Sequence, residues 1–237
     1  MNDIIINPDP KLVHMSKVVQ NQLTRKFSSN PAQSTTLITK TQGGVGADTL
    51  ASILAYVFEE RGLIAPIFQA GGTKGPLCKA YQRPRFNRVP LNDPLGAPLA
   101  QQLAKFLTEN AGRPAIAIIS PEANALALSI ITAIASAQLP IKFHNIHLVR
   151  PPSNLSLMEE LRPFCVSSTV AMVEPLTYPP GYDQMMLIPQ LPGELIDGME
   201  ERHCTFRAAM DNADVSLKLP MHTSFERFSQ QLVQFYA

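Results

Sequence analysis

The sequence contains no tryptophan, only three cysteines and no run of 18 apolar residues among its 237 residues. The cysteines, Cys78, Cys165 and Cys204, are too widely spaced to predict a disulfide framework or a metal site, and they suit a reducing, cytoplasmic environment. The missing apolar run argues against a transmembrane helix. The net charge of +1 gives no general attraction to nucleic acid or to a membrane surface.

The sequence also lacks the usual patterns of nucleophilic and metal-assisted catalysis. No G-x-S-x-G turn is present, so the nucleophile of an α/β-hydrolase is not predicted. His144 and His147 are three residues apart on a predicted strand and should point to opposite faces of its sheet. We therefore predict neither a metal centre nor an esterase or peptidase site.

Apolar, β-rich runs alternate with helical patterns along most of the chain. The predicted strands cover residues 35–39, 64–68, 115–119, 143–149, 169–173 and 185–188. The predicted helices cover residues 50–61, 100–110, 121–138, 194–211 and 224–236. This alternation predicts an α/β fold with a doubly wound, mostly parallel sheet flanked by helices and right-handed crossovers.

The α/β domain is predicted to span residues 35–237 and to follow an N-terminal helical extension, residues 1–34. Five apolar residues recur at helical spacing in this extension: Leu12, Met15, Val19, Leu23 and Phe27. We expect this helix to pack on the side of the domain, the alternative being a helix that docks to a partner or a membrane surface.

Two further expectations concern segments of unusual composition. Residues 69–98 are rich in glycine and proline and are predicted to be irregular. The helix at 121–138 carries hardly any charge and is predicted to be nearly enclosed by the rest of the fold.

A glycine-rich loop follows the first predicted strand and opens a helix, which is the context that a phosphate-binding loop requires. Its glycines allow the backbone to wrap an anion, and the start of the helix offers free N–H groups and the positive end of the dipole. The candidate nucleotide-binding residues are Gly43, Gly44, Val45, Gly46, Ala47, Asp48 and Thr49.

The loop resembles the deviant P-loop of the ParA/MinD family, cytosolic ATPases that position plasmids, septa and other cargo. That family's loop reads roughly G-K-G-G-V-G-K-T-T and precedes a helix with the pattern L-A-x-x-L-A. Residues 43–46, Thr49 and residues 50–55 match. The resemblance implies a P-loop NTPase-like fold and a role in plasmid maintenance, conjugative transfer or positioning of a bacterial assembly. It also implies a protein partner, for which a second copy, an active ATPase relative and a different protein all stay open.

Every catalytic position that the resemblance transfers is substituted. Ala47 stands for the P-loop lysine, Asp48 for the threonine that holds Mg²⁺, and Gln42 for the family's signature lysine. Ser120 ends the strand at 115–119, where the family has an aspartate that helps to activate water. We therefore predict a protein without catalytic residues or a required cofactor, in which any binding of ATP or ADP is weak.

Asp48 has two interpretations of its own. A carboxylate in the first turn of a helix is stabilised by the dipole, and it repels a phosphate at the same place. Asp48 is thus expected either to occupy the anion site itself or to cap the helix.

Three other interpretations of the loop stay open. It can be an inherited element that is kept only for its turn geometry. It can belong to the active site of a nucleotide hydrolase that uses Lys40 or Lys74 in place of the missing lysine. A dinucleotide-binding loop, G-x-G-x-x-T ending at Thr49, is the weakest, because Gln69 ends the second strand where an acidic residue would bind a ribose.

The second candidate site is a basic segment, since no acidic residue occurs between Glu60 and Asp93. Its candidate contact residues are Lys79, Arg83, Arg85 and Arg88, with Tyr81 and Phe86 interleaved. Such a segment suits weak, non-specific binding of DNA or docking of an acidic protein partner. A solvated loop whose charges pair with acids elsewhere in the fold is the alternative.

Overall fold

The computed structural model describes residues 33–44, 46–72, 75, 77–81, 85–91, 99–150, 155–173, 185–212 and 215–236. The predicted N-terminal helical extension, residues 1–34, lies outside this part of the chain except for Gln33 and Ser34. Ser34 already belongs to the first strand.

In the described residues, seven parallel strands form one sheet in the order β3-β2-β4-β1-β5-β6-β7. The strands are β1 Ser34–Lys40, β2 Ile67–Ala70, β3 Phe86–Val89, β4 Ala115–Ile119, β5 Lys142–Leu148, β6 Ser167–Val173 and β7 Met186–Ile188. The central strands β1 and β4 are buried on both faces, which explains the continuous apolar run of β4, while β1 buries serine and threonine side chains as well. The α/β prediction of a doubly wound, mostly parallel sheet is confirmed.

Strand β3 was not predicted, because residues 69–98 were expected to be irregular. This strand has only four residues, two of them polar, and it lies at the edge of the sheet, where it pairs with β2 alone. Pairing with β2 therefore stabilises a strand that the local sequence does not predict. The same segment also contains the short helix Leu77–Ala80.

Eight α-helices are present in the described part of the chain. They are α1 Ala47–Glu59, α2 Leu77–Ala80, α3 Leu99–Glu109, α4 Asn124–Ser136, α5 Ser156–Leu161, α6 Gly193–Arg202, α7 Phe206–Asn212 and α8 Val215–Phe235. The predicted helix at 194–211 is wrong as a single helix, because His203 adopts a positive φ of 50° and separates α6 from α7. Helix α8 begins nine residues before the predicted start at residue 224.

Helix α4 is not enclosed as predicted. It buries only Ala127, Ile131 and Ile134 in the core, while Ala125 and Ser129 are exposed. Because alanine and serine are small, their exposure leaves little apolar surface in water, and the helix does not need charged residues on its outer face.

The helices cover the two faces of the sheet in two groups. Ile38 of β1 faces the core formed with α1, α2, α6, α7 and α8. The adjacent residue Leu37 faces the opposite core, formed with α3, α4 and α5. The connection that leaves β1 therefore lies on one face, while those that leave its neighbours β4 and β5 lie on the other. Ligands of open α/β sheets bind at such switch points, at the carboxyl ends of the strands.

The outer edge of β7 is closed by one side chain of helix α8. The Gln231 carbonyl oxygen accepts a hydrogen bond from the Leu187 N–H at 3.0 Å, and its amide donates to the Met185 carbonyl at 3.1 Å. The side chain thus bonds to β7 as a neighbouring strand would. Unpaired edges invite pairing with other chains, so this contact protects the sheet from edge-to-edge association.

We expect Gln231→Ala to lower the free energy of unfolding by about 1–3 kcal/mol, because two backbone groups lose their partners. Denaturant unfolding measures this change, and light scattering tests for self-association through the edge. The control is Gln230→Ala, at the exposed neighbouring position. Equal effects of the two substitutions would argue against edge protection by Gln231.

His144 of β5 is a buried imidazole that faces an aromatic cluster. Its ring packs edge-on against Phe235 and Tyr236, and its Nδ1 lies 2.7 Å from the Ser167 hydroxyl. Burial, with a smaller effect from the positive charge of Lys142, lowers the pKa of His144 to about 4 from an ordinary 6.5. The unfolded chain therefore binds a proton at a higher pH than the folded chain does.

This difference predicts a pH dependence of stability. The contribution of neutral His144 is complete above pH 6.5 and is lost as the pH falls towards 4, by up to about 3 kcal/mol. Unfolding of the wild type and of His144→Phe should be compared across this range, and the variant should lose less stability on acidification. His203→Asn, which removes an exposed imidazole, is the control. Parallel pH profiles of wild type and His144→Phe would refute the prediction.

Candidate functional site

The glycine-rich loop connects β1 to α1 at the carboxyl edge of the sheet, as the sequence predicted. Gly44 and Gly46 have positive φ angles of 67° and 86°. Gly46 is the N-cap of α1, and it makes no side-chain capping bond. The loop thus turns the chain sharply into α1, and no side chain caps the first N–H groups of this helix from the N-cap position. Val45, another predicted site residue, lies outside the described residues.

Two residues tie the loop to the end of β5. The Gln42 amide donates to the Arg150 carbonyl oxygen at 2.9 Å, and the Arg150 guanidinium donates to the Gly44 carbonyl oxygen at 3.2 Å. Asn124, at the start of α4, donates to the Lys40 carbonyl oxygen at 3.0 Å. The Gln42 side chain therefore binds within the protein, where it connects the loop to the end of β5.

Arg150 was missed by the sequence reasoning. It follows directly after the buried run that ends in Val149, and β5 is the neighbour of β1 in the sheet. Because parallel strands end at the same edge, a cation after β5 lies close to a loop after β1. The sequence alone does not determine the strand order, so it could not show that β5 lies beside β1.

Asp48 is the central acidic group of the site. It is not the N-cap, and its carboxylate lies directly against the backbone of Gly75, in the segment that follows β2. Burial raises the pKa of Asp48, and the positive charge of Lys40 partly offsets this shift. The sequence left two interpretations of Asp48, which were occupation of the anion site and capping of the helix. The structure excludes capping from the N-cap position, because Gly46 occupies that position. A carboxylate and a backbone segment take up space beside the amino end of α1.

The ends of β2 and β4 form the neighbouring wall. Gln69 and Ser120 are buried side by side under Gly72, whose Cα leaves no room for a side chain beside them. The Ser120 hydroxyl makes no hydrogen bond within the described residues. The side chains of Gln69 and Ser120 therefore present a neutral amide and a hydroxyl at the ends of these two strands.

Two charged residues bond to the backbone of Gly72, which lies just after β2. The Gly72 N–H donates to the Glu122 carboxylate, and Arg88 donates to the Gly72 carbonyl oxygen. Together with the approach of Asp48 to Gly75, side chains from three different elements contact these two glycines. Glu122 was not among the predicted site residues, although it lies only three residues after the end of β4.

The basic candidates are divided by the structure. Arg85 forms an ion pair with Glu59 and lies over the Tyr81 ring, with 5.1 Å between the guanidinium carbon and the ring centroid. Arg88 bonds to Gly72 as described. Arg83 and the side chain of Lys79 lie outside the described residues. Two of the four predicted contact residues thus hold their own fold together, and polyanion binding stays a prediction.

The histidines of β5 point to opposite faces, as predicted. His144 faces the aromatic cluster, whereas His147 Nδ1 lies 2.8 Å from the Thr39 hydroxyl on the other face. The described part of the chain contains no group of three histidine, cysteine or acidic residues that is arranged to hold a metal ion. Within the same part, no helix has the length and apolar character needed to cross a membrane.

Comparison with known protein families and with curated proteins finds no match to this chain. The site combines a loop that contains two glycines with positive φ angles, a half-buried carboxylate in the first turn of α1, and the backbone of Gly75 against that carboxylate. Such an arrangement offers backbone N–H groups and one nearby guanidinium, but no lysine in the loop and no hydroxyl at position 48.

Proposed function

We propose that the chain is a ParA/MinD-like protein without competent ATP hydrolysis, which acts through protein contacts. By this resemblance, its setting is bacterial plasmid maintenance, conjugative transfer or the positioning of a cellular assembly. The observation that carries the proposal is the carboxylate of Asp48 against Gly75, beside the start of α1. Any binding of ATP or ADP at the loop is proposed to be weak.

Electrostatics at the start of α1 support weak binding. The amino end of a helix carries about half a positive charge, and an acidic residue in the first turn already interacts with it. Asp48 is the acidic residue in that turn. A triphosphate at the loop would meet this carboxylate without the lysine that normally balances phosphate charge. Repulsion then opposes the attraction of the backbone N–H groups.

The neighbouring wall supports the absence of turnover. Phosphoryl transfer is catalysed by positioning and by charge stabilisation, and removal of one stabilising group typically costs about 10²- to 10³-fold in rate. Here the loop lysine, the Mg²⁺ hydroxyl and the acidic residue after β4 are replaced by Ala47, Asp48 and Ser120. The losses together correspond to several orders of magnitude.

The proposed partner is a protein, either a second copy of this chain or an active ATPase relative. The ion pair of Arg85 with Glu59 and the bond of Arg88 to Gly72 engage two cations of the basic segment within the fold. A contact with duplex DNA is therefore proposed to be weak and non-specific, with few phosphates neutralised.

The test is a measurement of Mg²⁺-dependent ATP turnover and ATP binding by the purified wild type. We expect turnover at the level of a protein-free control and no saturable binding at micromolar ATP. Turnover that disappears in Lys40→Ala would instead support the alternative of an active hydrolase with unusual residues. Lys105→Ala, at an exposed site on α3 far along the chain from the loop, is the matched control for that substitution.

A further inference from the structure

Three large apolar side chains are exposed at the amino edge of the sheet. Ile64, Leu139 and Val166 keep 69%, 42% and 59% of their surface accessible. They lie at most three residues before β2, β5 and β6, respectively. We call these three residues the amino-edge rim. The other large exposed apolar residues, Leu91 and Leu155, follow strands and lie at the opposite edge.

The rim spans a distance that follows from the strand order. Strands β2 and β6 are four positions apart, with β4, β1 and β5 between them. Neighbouring strands are about 4.8 Å apart, so the rim extends over roughly 19 Å. Strand β1 begins within this span, since its first residue Ser34 pairs with Lys142 of β5. The chain before Ser34 therefore enters the sheet in the middle of the rim.

The sequence before Ser34 contains an apolar stripe of matching length. Residues 12–27 lie outside the described residues, and their sequence predicts the amphipathic helix whose apolar positions were given above. Fifteen helical steps cover about 22 Å. The six residues between 27 and 34 reach up to about 20 Å when extended, which is enough to bring the stripe onto the rim from either side.

Charge placement is compatible with this docking. Lys17 and Arg25 fall on the side of the helical wheel opposite to the stripe, whereas Lys26 falls on the stripe side near its end. The exposed cations at the same edge, Arg113 and Lys142, would therefore not face the first two of these residues across the contact. The long Lys26 side chain can extend its charge into water beside the contact.

We propose that residues 12–27 dock on the amino-edge rim of their own chain and cover Ile64, Leu139 and Val166. Burial of apolar surface provides the driving force, and the short connection to β1 keeps the local concentration of the segment high. This proposal concerns the edge opposite to the glycine-rich loop and does not depend on the proposed function.

A double-mutant cycle in the full-length chain tests the proposal. Leu139→Ser and Leu23→Ser should each lower the folding equilibrium constant about 5- to 10-fold, as measured by denaturant unfolding. The double variant should be hardly less stable than either single variant, because both remove the same contact. Leu91→Ser is the matched control: its side chain is 44% exposed, but at the other edge, so a change of about twofold or less is expected.

Three outcomes would overturn the proposal. In the first, Leu139→Ser changes the folding equilibrium constant as little as Leu91→Ser does, and its effect is additive with that of Leu23→Ser. This result would mean that no segment covers the rim. The effect of Leu139→Ser can depend on protein concentration, with dimers in light scattering, which would assign the rim to a second copy. Leu23→Ser can leave stability unchanged while abolishing binding to anionic lipid vesicles, which would assign the stripe to a membrane surface.

Discussion

Replacement of Gly46 by valine is expected to lower the free energy of unfolding by about 3 kcal/mol or more. Gly46 has a φ of 86°, a conformation that costs an ordinary residue about 1–2 kcal/mol and is worse for a β-branched one. A Cβ at this position would also lie well inside van der Waals contact with the Val173 side chain at the end of β6. Backbone strain and overpacking therefore add.

The two contributions can be separated by experiment. Gly46→Ala should be less damaging than Gly46→Val, and Val173→Ala should restore part of the stability of Gly46→Ala by removing the clash. Gly43→Ala is the control, because a Cβ at Gly43 meets nothing within 4 Å and its φ is not positive. A Gly46→Val protein that unfolds at the same denaturant concentration as Gly43→Ala would contradict this account.

A glycine at position 46 is required by the turn into α1 and by the contact with Val173, whether or not a nucleotide binds. Gly43 is less constrained, since a Cβ there would meet no other atom, whereas Gly44 has open space but also adopts a positive φ of 67°. Part of the P-loop-like pattern is thus explained by folding alone. For the same reason, Gly46→Val is a poor probe of nucleotide chemistry, because loss of activity would follow from loss of the fold.

The fold was largely predictable because its strongest signals are local. The apolar run of β4 and the strand–loop–helix unit around α1 are visible in a few consecutive residues. Strand β3 was missed because its order comes from pairing with β2, and the break at His203 was missed because a helical pattern continues through it. Only tertiary contacts decide such cases.

The site was less predictable because its contacts join distant parts of the sequence. Asp48 meets Gly75, Arg85 pairs with Glu59, and Arg150 reaches Gly44. Composition showed that arginines were concentrated in one acid-free segment, but not that an acid before the segment would neutralise one of them. An interpretation from charge counts alone therefore overstates how many cations face a partner.

The contact between Asp48 and Gly75 leads to the second large effect, on nucleotide binding. The double change Ala47→Lys with Asp48→Thr should bind ATP at least about tenfold more tightly than either single change, which corresponds to about 1.4 kcal/mol. Lysine at position 47 alone would pair with the Asp48 carboxylate, and threonine at position 48 alone would leave phosphate charge unbalanced. Only the double change supplies a cation and removes the repelling group.

Fluorescence titration with Mg²⁺ and ATP measures the affinities, and denaturant unfolding confirms that each variant is folded, since Ala47 is buried. Thr49→Ser added to the double variant is a conservative control and should leave affinity within about twofold. Equal affinities for the single and double variants would show that Asp48 does not block the loop. Turnover should stay at background even in the tight-binding variant, because Ser120 still stands where the proposed ParA/MinD resemblance implies an acidic residue that helps to activate water. Hydrolysis restored by these two substitutions alone would mean that the carboxyl end of β4 is competent after all, and that only the loop separates this chain from an active ATPase.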